Sequence, residues 1–326
     1  MPFFSIVTPV FNRQREVRRA IESCLAQDFT DLEQIVVDDG SSDRTADVVA
    51  SYSDDRVRLI RHEQNRGVCP ARNTAIRAST GDWVIFLDSD HELVPGCLTR
   101  IYEIISGEPE ETGRIGFLYK LDDGRISPSV LPPPRRLDYE DWLRFVESTR
   151  LSDALWATRR STFEQCMMPE SFALEFKYNL DFSKIFTWRI VPEALAFQYT
   201  DAPGRITSIV PSADESKELQ RARDCLEDWN AVMREHGGAL QVFAPKNYQG
   251  ALRGRAISHL LAGSRWRAIR ASFGCILRYP GNIINWAVLA STVAGRRTMR
   301  LARRYRVRNA RAGVRLKEVM QWAHQR

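Results

Sequence analysis

Asp88-Ser89-Asp90 follows the apolar run Trp83-Val84-Ile85-Phe86-Leu87, itself opened by Gly81-Asp82. Two carboxylates one residue apart offer the hard oxygen ligands that a divalent cation takes. One can hold the metal while the other reaches a ribose. An Asp-x-Asp alone is common in surface loops, and the apolar run before it gives this one its weight. Asp38-Asp39-Gly40-Ser41-Ser42-Asp43 closes a second apolar run. Gly40 and Ser41 permit a sharp turn, Ser42 or Asp43 can cap a following helix, and Asp39 can accept a hydrogen bond from the imide N–H of a nucleobase. Asn65-Arg66-Gly67 and Pro70-Ala71-Arg72-Asn73 precede and open a helix. Arginine at a helix start suits an anionic diphosphate; the plainer reading is a solvated loop arginine.

The elements around these residues alternate. Ser5-Ile6-Val7, Gln34 to Val37, Val57 to Ile60 and Trp83 to Leu87 read as strands. Val17, Ala20, Ile21, Cys24 and Leu25 recur at helical spacing after an expected N-cap at Asn12, and Thr45 to Tyr52 and Ala71 to Ala78 read as helices. The fourth strand is apolar on both faces, as a parallel strand covered by helices must be. This βαβαβαβ order predicts an open α/β sheet with right-handed crossovers. Such sheets bind ligands beyond the carboxyl ends of their strands. Thr8-Pro9, Asp38-Asp39-Gly40 and Asp88-Ser89-Asp90 all fall at such ends. Residues 111–210 are less regular, with a stiff loop at Leu131-Pro132-Pro133-Pro134. Residues 214–236 read as a charged helix and 250–274 as an amphipathic, basic stretch.

The 326 residues are 44% hydrophobic and 27% charged, a globular composition. Phe3 to Val10 lacks the charged start of a secretory signal and reads as a buried strand. Six scattered cysteines without CxxC spacing point to reduced cytosolic thiols and away from structural zinc. The net charge of +6 is unevenly spread: residues 251–326 hold 17 Lys and Arg against Glu318 alone, and the first 250 residues hold 30 basic and 40 acidic residues. An acidic body with a basic tail suggests a polyanionic partner, either nucleic acid or an anionic membrane surface.

The series Ser5 to Asn12, Val36 to Asp43, Asn65-Arg66-Gly67 with Ala71-Arg72-Asn73, and Gly81 to Asp90 resembles family 2 glycosyltransferases, specifically over residues 3–100 and more loosely to about 210. The resemblance implies a GT-A fold: a mixed, mostly parallel sheet flanked by helices, here with a helical C-terminal extension. It divides the chain into a nucleotide-sugar half (1–110), an acceptor half (111–212) and a basic helical extension (213–326). It implies inverting transfer from a UDP-, GDP- or dTDP-sugar with Mg²⁺ or Mn²⁺, to a glycan or lipid-linked acceptor in cell-surface glycan or glycolipid assembly. Thr8, Pro9, Val10, Asn12, Asp39, Arg72, Asp88 and Ser89 would bind the donor, with Asp39 on the base, Asp88 on the ribose and Asp90 on the metal. His91 departs from the family, which shows an acid or polar residue there. It could favour Mn²⁺ or touch the diphosphate; the plainer reading is an exposed side chain.

Inversion by direct displacement needs a general base. The family's usual Glu-Asp pair is absent from Phe172-Ala173-Leu174-Glu175-Phe176-Lys177-Tyr178-Asn179-Leu180-Asp181-Phe182. Glu175, with Tyr178 and Phe182 following at i+3 and i+7, fits the family's base followed by an apolar helix face. Asp181, about 120° away on the helix, is the alternative. Trp156 and the Arg159-Arg160 pair lie where acceptor sites form in the family, and Trp156 can stack on a sugar or belong to the core. A catalytically inactive nucleotide-sugar-binding protein is the competing function. A nucleotidylyltransferase would need a Gly-rich basic loop after the first strand, which Thr8 to Asn12 is not. No nucleic-acid-binding module accompanies the tail. Residues 275–326 instead read as an interfacial anchor, with Ile283, Ile284, Trp286, Val288 and Leu289 preceding a cationic stretch whose thin apolar stripe is Met299, Ala302 and Val307. The expected location is cytoplasmic, peripheral to the inner face of a membrane.

Overall fold

The computed structural model describes residues 2–128, 131, 135–148, 154–170, 175–199 and 215–296. The Pro132–Pro134 loop, Phe172–Leu174 and the stripe of Met299, Ala302 and Val307 lie outside the described residues. The first part alternates as its periodicity predicts: β1 (Phe4–Val10), α1 (Glu16–Leu25), β2 (Leu32–Asp38), α2 (Thr45–Ala50), β3 (Val57–Arg61), α3 (Val68–Ala78) and β4 (Trp83–Phe86). Next come β5 (His91–Leu93), α4 (Cys97–Ile105), β6 (Thr112–Leu121), β7 (Ile126–Ser127), α5 (Tyr139–Ser148), β8 (Leu155–Arg159), α6 (Glu175–Ile185) and β9 (Thr187–Gln198). Helices complete the described chain: α7 (Glu215–Glu235), α8 (Gly237–Phe243), α9 (Pro245–Leu261), α10 (Arg265–Arg278) and α11 (Ile283–Ala294).

All the described strands join one mixed sheet, in the order β3-β2-β1-β4-β8-β6-β9-β5, with β7 on β6. β3, β2, β1 and β4 are parallel. Pairing turns antiparallel at β4–β8 and β8–β6, parallel at β6–β9 and antiparallel at β9–β5. The chain runs outward from β1 to β3 and returns to β4 on the other side of β1. The order therefore reverses between β1 and β4, which opens a crevice beyond their carboxyl ends.

Both faces of the parallel strands are covered, which explains their unbroken apolar runs. Phe4 and Ile6 pack with Ala20 and Cys24 of α1 and Leu98 and Ile101 of α4. Val7 on the opposite face packs with Ala71 and Ala75 of α3 and Tyr178 and Phe182 of α6. α1 begins later than the sequence suggests. Asn12 is not its cap: it adopts φ 52°, a left-handed conformation that asparagine tolerates better than most residues. Its Oδ1 accepts from the Ser42 amide at 2.9 Å. The N-cap position of α2 is Arg44, not Ser42 or Asp43, and Asp43 just before it accepts from the Thr45 amide at 3.0 Å.

Two compact units divide the chain: Met1–Ala202 with His236–Asn247, which contains the sheet, and Pro203–Glu235 with Tyr248–Arg326, which is helical. In the helical unit Ala222, Leu260, Leu261 and Ala268 form a small core. Gly254 admits the Trp229 indole so closely that a Cβ there would lie 2.4 Å from the ring. The basic stretch at 250–274 is broken at Gly263, φ 87°, into α9 and α10. Among the described residues no helix is long and apolar enough to cross a membrane.

Glu33 is a buried polar tie within the sheet. It accepts from Ser5 Oγ at 2.7 Å, from the Thr80 amide and hydroxyl at 2.7 and 2.8 Å, and from Arg58 at 3.0 Å. Burial pushes its carboxyl up, but these donors outweigh burial and hold it below the usual carboxylate range. A depressed value contributes stability above the unfolded pKa of about 4.3 that is lost as pH falls through the folded value. Glu33→Gln should cost about 1–3 kcal/mol at neutral pH in urea unfolding, and the gap to wild type should close as pH drops below about 4. A gap that stays constant with pH would contradict this role.

Candidate active site

α3 starts after Gly67, φ 104°, and buries Ala71, Ala75 and Ile76 against the sheet. That packing leaves Arg72 at the end of β4, its side chain 12% exposed. Arg72 Nη2 donates to Asp88 Oδ1 at 2.8 Å, and Nη1 donates to Glu175 Oε1. Burial disfavours the guanidinium cation, but the Glu175 and Asp88 carboxylates more than reverse this and its pKa rises well above the ordinary arginine value. One cation thus bridges the Asp-x-Asp motif and the first residue of α6. The three line a single cleft of about 420 Å³ with Arg114, Trp156 and Tyr178.

Tyr178 and Phe182 are buried beneath Glu175 as the helical phasing predicts. Asp181 lies elsewhere and does not line the cleft. Its oxygens are held by Lys177 Nζ at 2.5 Å and by Nε2 of buried His236 at 2.8 Å, and the Tyr139 hydroxyl lies 2.7 Å from Nδ1 of the same histidine. Burial raises the Asp181 carboxyl, and His236 and Lys177 outweigh burial and lower it. Such a carboxylate anchors α6.

The strand-end residues serve different purposes. Asp39 is 3% exposed. Its carboxylate meets His62 Nδ1 at 2.7 Å and accepts from the Arg66 amide at 3.0 Å and the Gly67 amide at 2.7 Å. In this structure its oxygens hold the loop that starts α3. Gly40, φ 75°, makes the turn beside it, where a Cβ would lie 2.7 Å from the Gln64 backbone. The side chains of Thr8 and Val10 are buried: Thr8 Oγ1 accepts from Gln34 at 3.0 Å, and Val10 packs with Val17, Ile21 and Val49. Pro9 is half-buried between them. Asn12 ties the end of β1 to the Ser41-Ser42 turn. Phe11, which the sequence reading passed over, is 43% exposed at the same strand end.

Ser89 is buried. Asp88 and Asp90 keep their side chains partly exposed, at 32% and 15%. Two hard oxygen donors on one loop fit Mg²⁺ or Mn²⁺. His91 corrects the expectation of an exposed side chain. It is 2% exposed, lies on β5 with its ring 4.6 Å from that of Tyr119, and has Nε2 3.2 Å from the Gln198 side-chain nitrogen. The same Nε2 lies 3.6 Å from Asp90 Oδ1.

Arg159 and Arg160 also depart from expectation. Arg159 pairs with Trp83 at the amino end of β4, opposite to Asp88, and Arg160 donates to the Gly81 carbonyl at 2.8 Å. They fasten the end of β8 to the amino end of β4 and do not line the cleft. Trp156 both packs and faces the cleft: it lies beside Gly116 of β6 and 5.2 Å from the Trp188 ring. Arg114 was missed. It is 3% exposed and donates to the neutral partners Thr158, Asn179 and Tyr178 at 2.7–3.1 Å. Its signal in the sequence is a lone arginine within the otherwise uncharged β6 run Thr112 to Tyr119.

Residues 5–164 match the profile of glycosyl transferase family 2. The chain is similar to the uncharacterized glycosyltransferase EpsJ of Bacillus subtilis, 28% identical over 72% of this chain and 76% of that one. It is 40% identical over 106 residues to the GalNAc(5)-diNAcBac-PP-undecaprenol beta-1,3-glucosyltransferase of Campylobacter jejuni, a match spanning 32% of this chain and only 34% of the relative. The fold resembles that of S. aureus TarS 1-349 in complex with UDP-GlcNAc, with TM-score 0.55 and 19% identity over 83% of this chain and 89% of that one. That likeness concerns the fold, including the mixed sheet flanked by helices.

Gly116 gives the cleft a point of control. A Cβ there would lie 2.5 Å from the Trp156 ring, so Gly116→Ala must displace the indole. The expected cost is about 1–3 kcal/mol from overpacking, with a change in tryptophan emission. Unchanged stability and emission would show that Trp156 is not held against β6.

Proposed function

Since this chain belongs to glycosyl transferase family 2, we propose that it transfers a sugar from a nucleoside diphosphate donor, with inversion, to a hydroxyl of a lipid-linked acceptor in cell-surface glycan assembly. The observation that carries this reading is the Arg72 bridge, which joins Asp88 and Glu175 in one cleft beyond the carboxyl end of β4. The donor's diphosphate belongs at Arg72 and the Asp88-Ser89-Asp90 loop, with Asp88 toward the ribose. A Mg²⁺ or Mn²⁺ ion held by Asp90 would neutralise charge on the leaving diphosphate. The nucleobase lies at the ends of β1 and β2, where Phe11 offers a ring face and Asp39 is placed to accept from its imide N–H. UDP, GDP and dTDP all remain within this chemistry. The undecaprenol-linked substrate named for the Campylobacter relative supports a lipid-linked acceptor, and the UDP-GlcNAc bound to TarS supports the donor class.

Glu175 opens onto the cleft and is the base. It takes the proton of the acceptor hydroxyl as that oxygen attacks the anomeric carbon from the side opposite the phosphate. The new C–O bond forms, the bond to the diphosphate breaks, and the nucleoside diphosphate leaves. Arg72 orients Glu175 and places positive charge beside the departing group. Residues 1–110 serve the donor and 111–212 the acceptor, where Trp156 offers an aromatic face to a sugar.

Steady-state kinetics test the assignments. Glu175→Gln should lower kcat by about 10² or more with little change in donor KM, and Asp181→Asn should lower thermal stability while keeping most of kcat. Full activity in Glu175→Gln with an inactive but folded Asp181→Asn would reverse the two roles. Asp90→Asn should abolish transfer without unfolding the chain, and EDTA should reproduce the loss in wild type. Full turnover by Asp90→Asn in metal-free buffer would refute the metal assignment.

A further inference from the structure

α11 is built inside out. Its sequence, Ile283 to Ala294, contains no charged residue. Its buried residues are the polar ones: Asn285, 1% exposed, accepts from Arg253 and donates to the Tyr279 carbonyl, and Thr292, fully buried, meets Ser272 of α10. Ile283, Ile284, Trp286 and Val293 face outward, 48–80% exposed. A helix that buries its polar side chains and presents its apolar ones has the pattern suited to an apolar neighbour.

The neighbouring helix carries the same signal. On α10, Trp266, Phe273 and Leu277 are 83, 51 and 71% exposed. At about 100° per residue they fall on one stripe, with exposed Arg270 within it and exposed Arg267 and Arg278 along one side. Residues 251–296 include seven arginines and no acidic residue. Trp286 already donates its indole N–H to the Pro280 carbonyl at 2.9 Å, and Asn282 Oδ1 accepts from the Ile284 amide at the start of α11. Neither donor would be stranded if this surface left water.

We infer that the exposed faces of α10 and α11 form a docking surface for a membrane bearing anionic lipid headgroups. The charge selects the occupant: apolar side chains enter the headgroup–acyl boundary while arginines reach back to the phosphates. The inference rests on the proposed function only for its purpose, which is to hold the enzyme where a lipid-linked acceptor is presented. Its test requires no catalysis.

The full chain is sedimented with vesicles of phosphatidylcholine alone and of phosphatidylcholine with phosphatidylglycerol, at low and high salt. Wild type should bind the anionic vesicles, less so at high salt, and brominated acyl chains should quench its tryptophan emission. Combined Trp266→Ser, Leu277→Ser and Ile283→Ser changes leave every basic residue in place and alter only exposed positions. They should weaken partitioning by about tenfold or more with melting temperature and donor binding unchanged. Equal binding by variant and wild type would assign the attraction to charge alone and overturn the proposal. So would an absence of quenching in wild type, or failure of wild type to bind anionic vesicles while the same substitutions abolish a concentration-dependent dimer. That last result would identify a second copy as the occupant.

Discussion

A nearly buried arginine cannot stand alone. Arg72 must be neutralised within its site, because an uncompensated buried charge costs about 3–5 kcal/mol. The chain supplies two carboxylates from distant parts of the sequence, Asp88 at the end of β4 and Glu175 at the start of α6. The requirement is therefore structural as well as chemical: α6 must start where its first side chain reaches the strand end. The packing of Tyr178 and Phe182 against Val7, Ala71 and Ala75 delivers it there, and the Lys177–Asp181–His236 cluster secures the same helix one turn further on.

This arrangement gives Glu175 and Asp181 different chemistry although both lie on one short helix. Glu175 faces a cleft and shares the Arg72 cation with Asp88. Asp181 is held by Lys177 and His236, which lower its pKa against the opposing effect of burial. Arg114 adds a second positive centre deeper in the cleft, held by neutral partners and surrounded by Trp156, Tyr178 and Phe182 rings. This side of the cleft is consequently both aromatic and cationic.

Much of the parallel half was legible in the sequence, because two-sided burial leaves continuous apolar strands and helical stripes such as Val17, Ala20, Ile21 and Cys24. The Asp88 strand end was legible for the same reason. What escaped was the direction of individual side chains. Asn12 looked like a cap until its φ of 52° placed it in a turn. Thr8 and Asp39 also meet internal demands that spacing does not show, from Gln34 in one case and from the loop before α3 in the other. His91 and the Arg159-Arg160 pair depend on β9 and β8 joining the sheet, long-range pairings that local periodicity cannot reveal. The Arg72–Glu175 pair was hidden for the same reason, and phasing could identify Glu175 only as a helix start.

The central claim is that Arg72 couples the donor strand end to the base. A double-mutant cycle on kcat/KM, with Arg72→Gln, Glu175→Gln and the pair, measures this coupling directly. Residues acting as one unit lose most of the rate with the first substitution, so the account predicts an interaction energy of about 1 kcal/mol or more. Additive losses within about 0.5 kcal/mol would mean that the two side chains act independently and would contradict it.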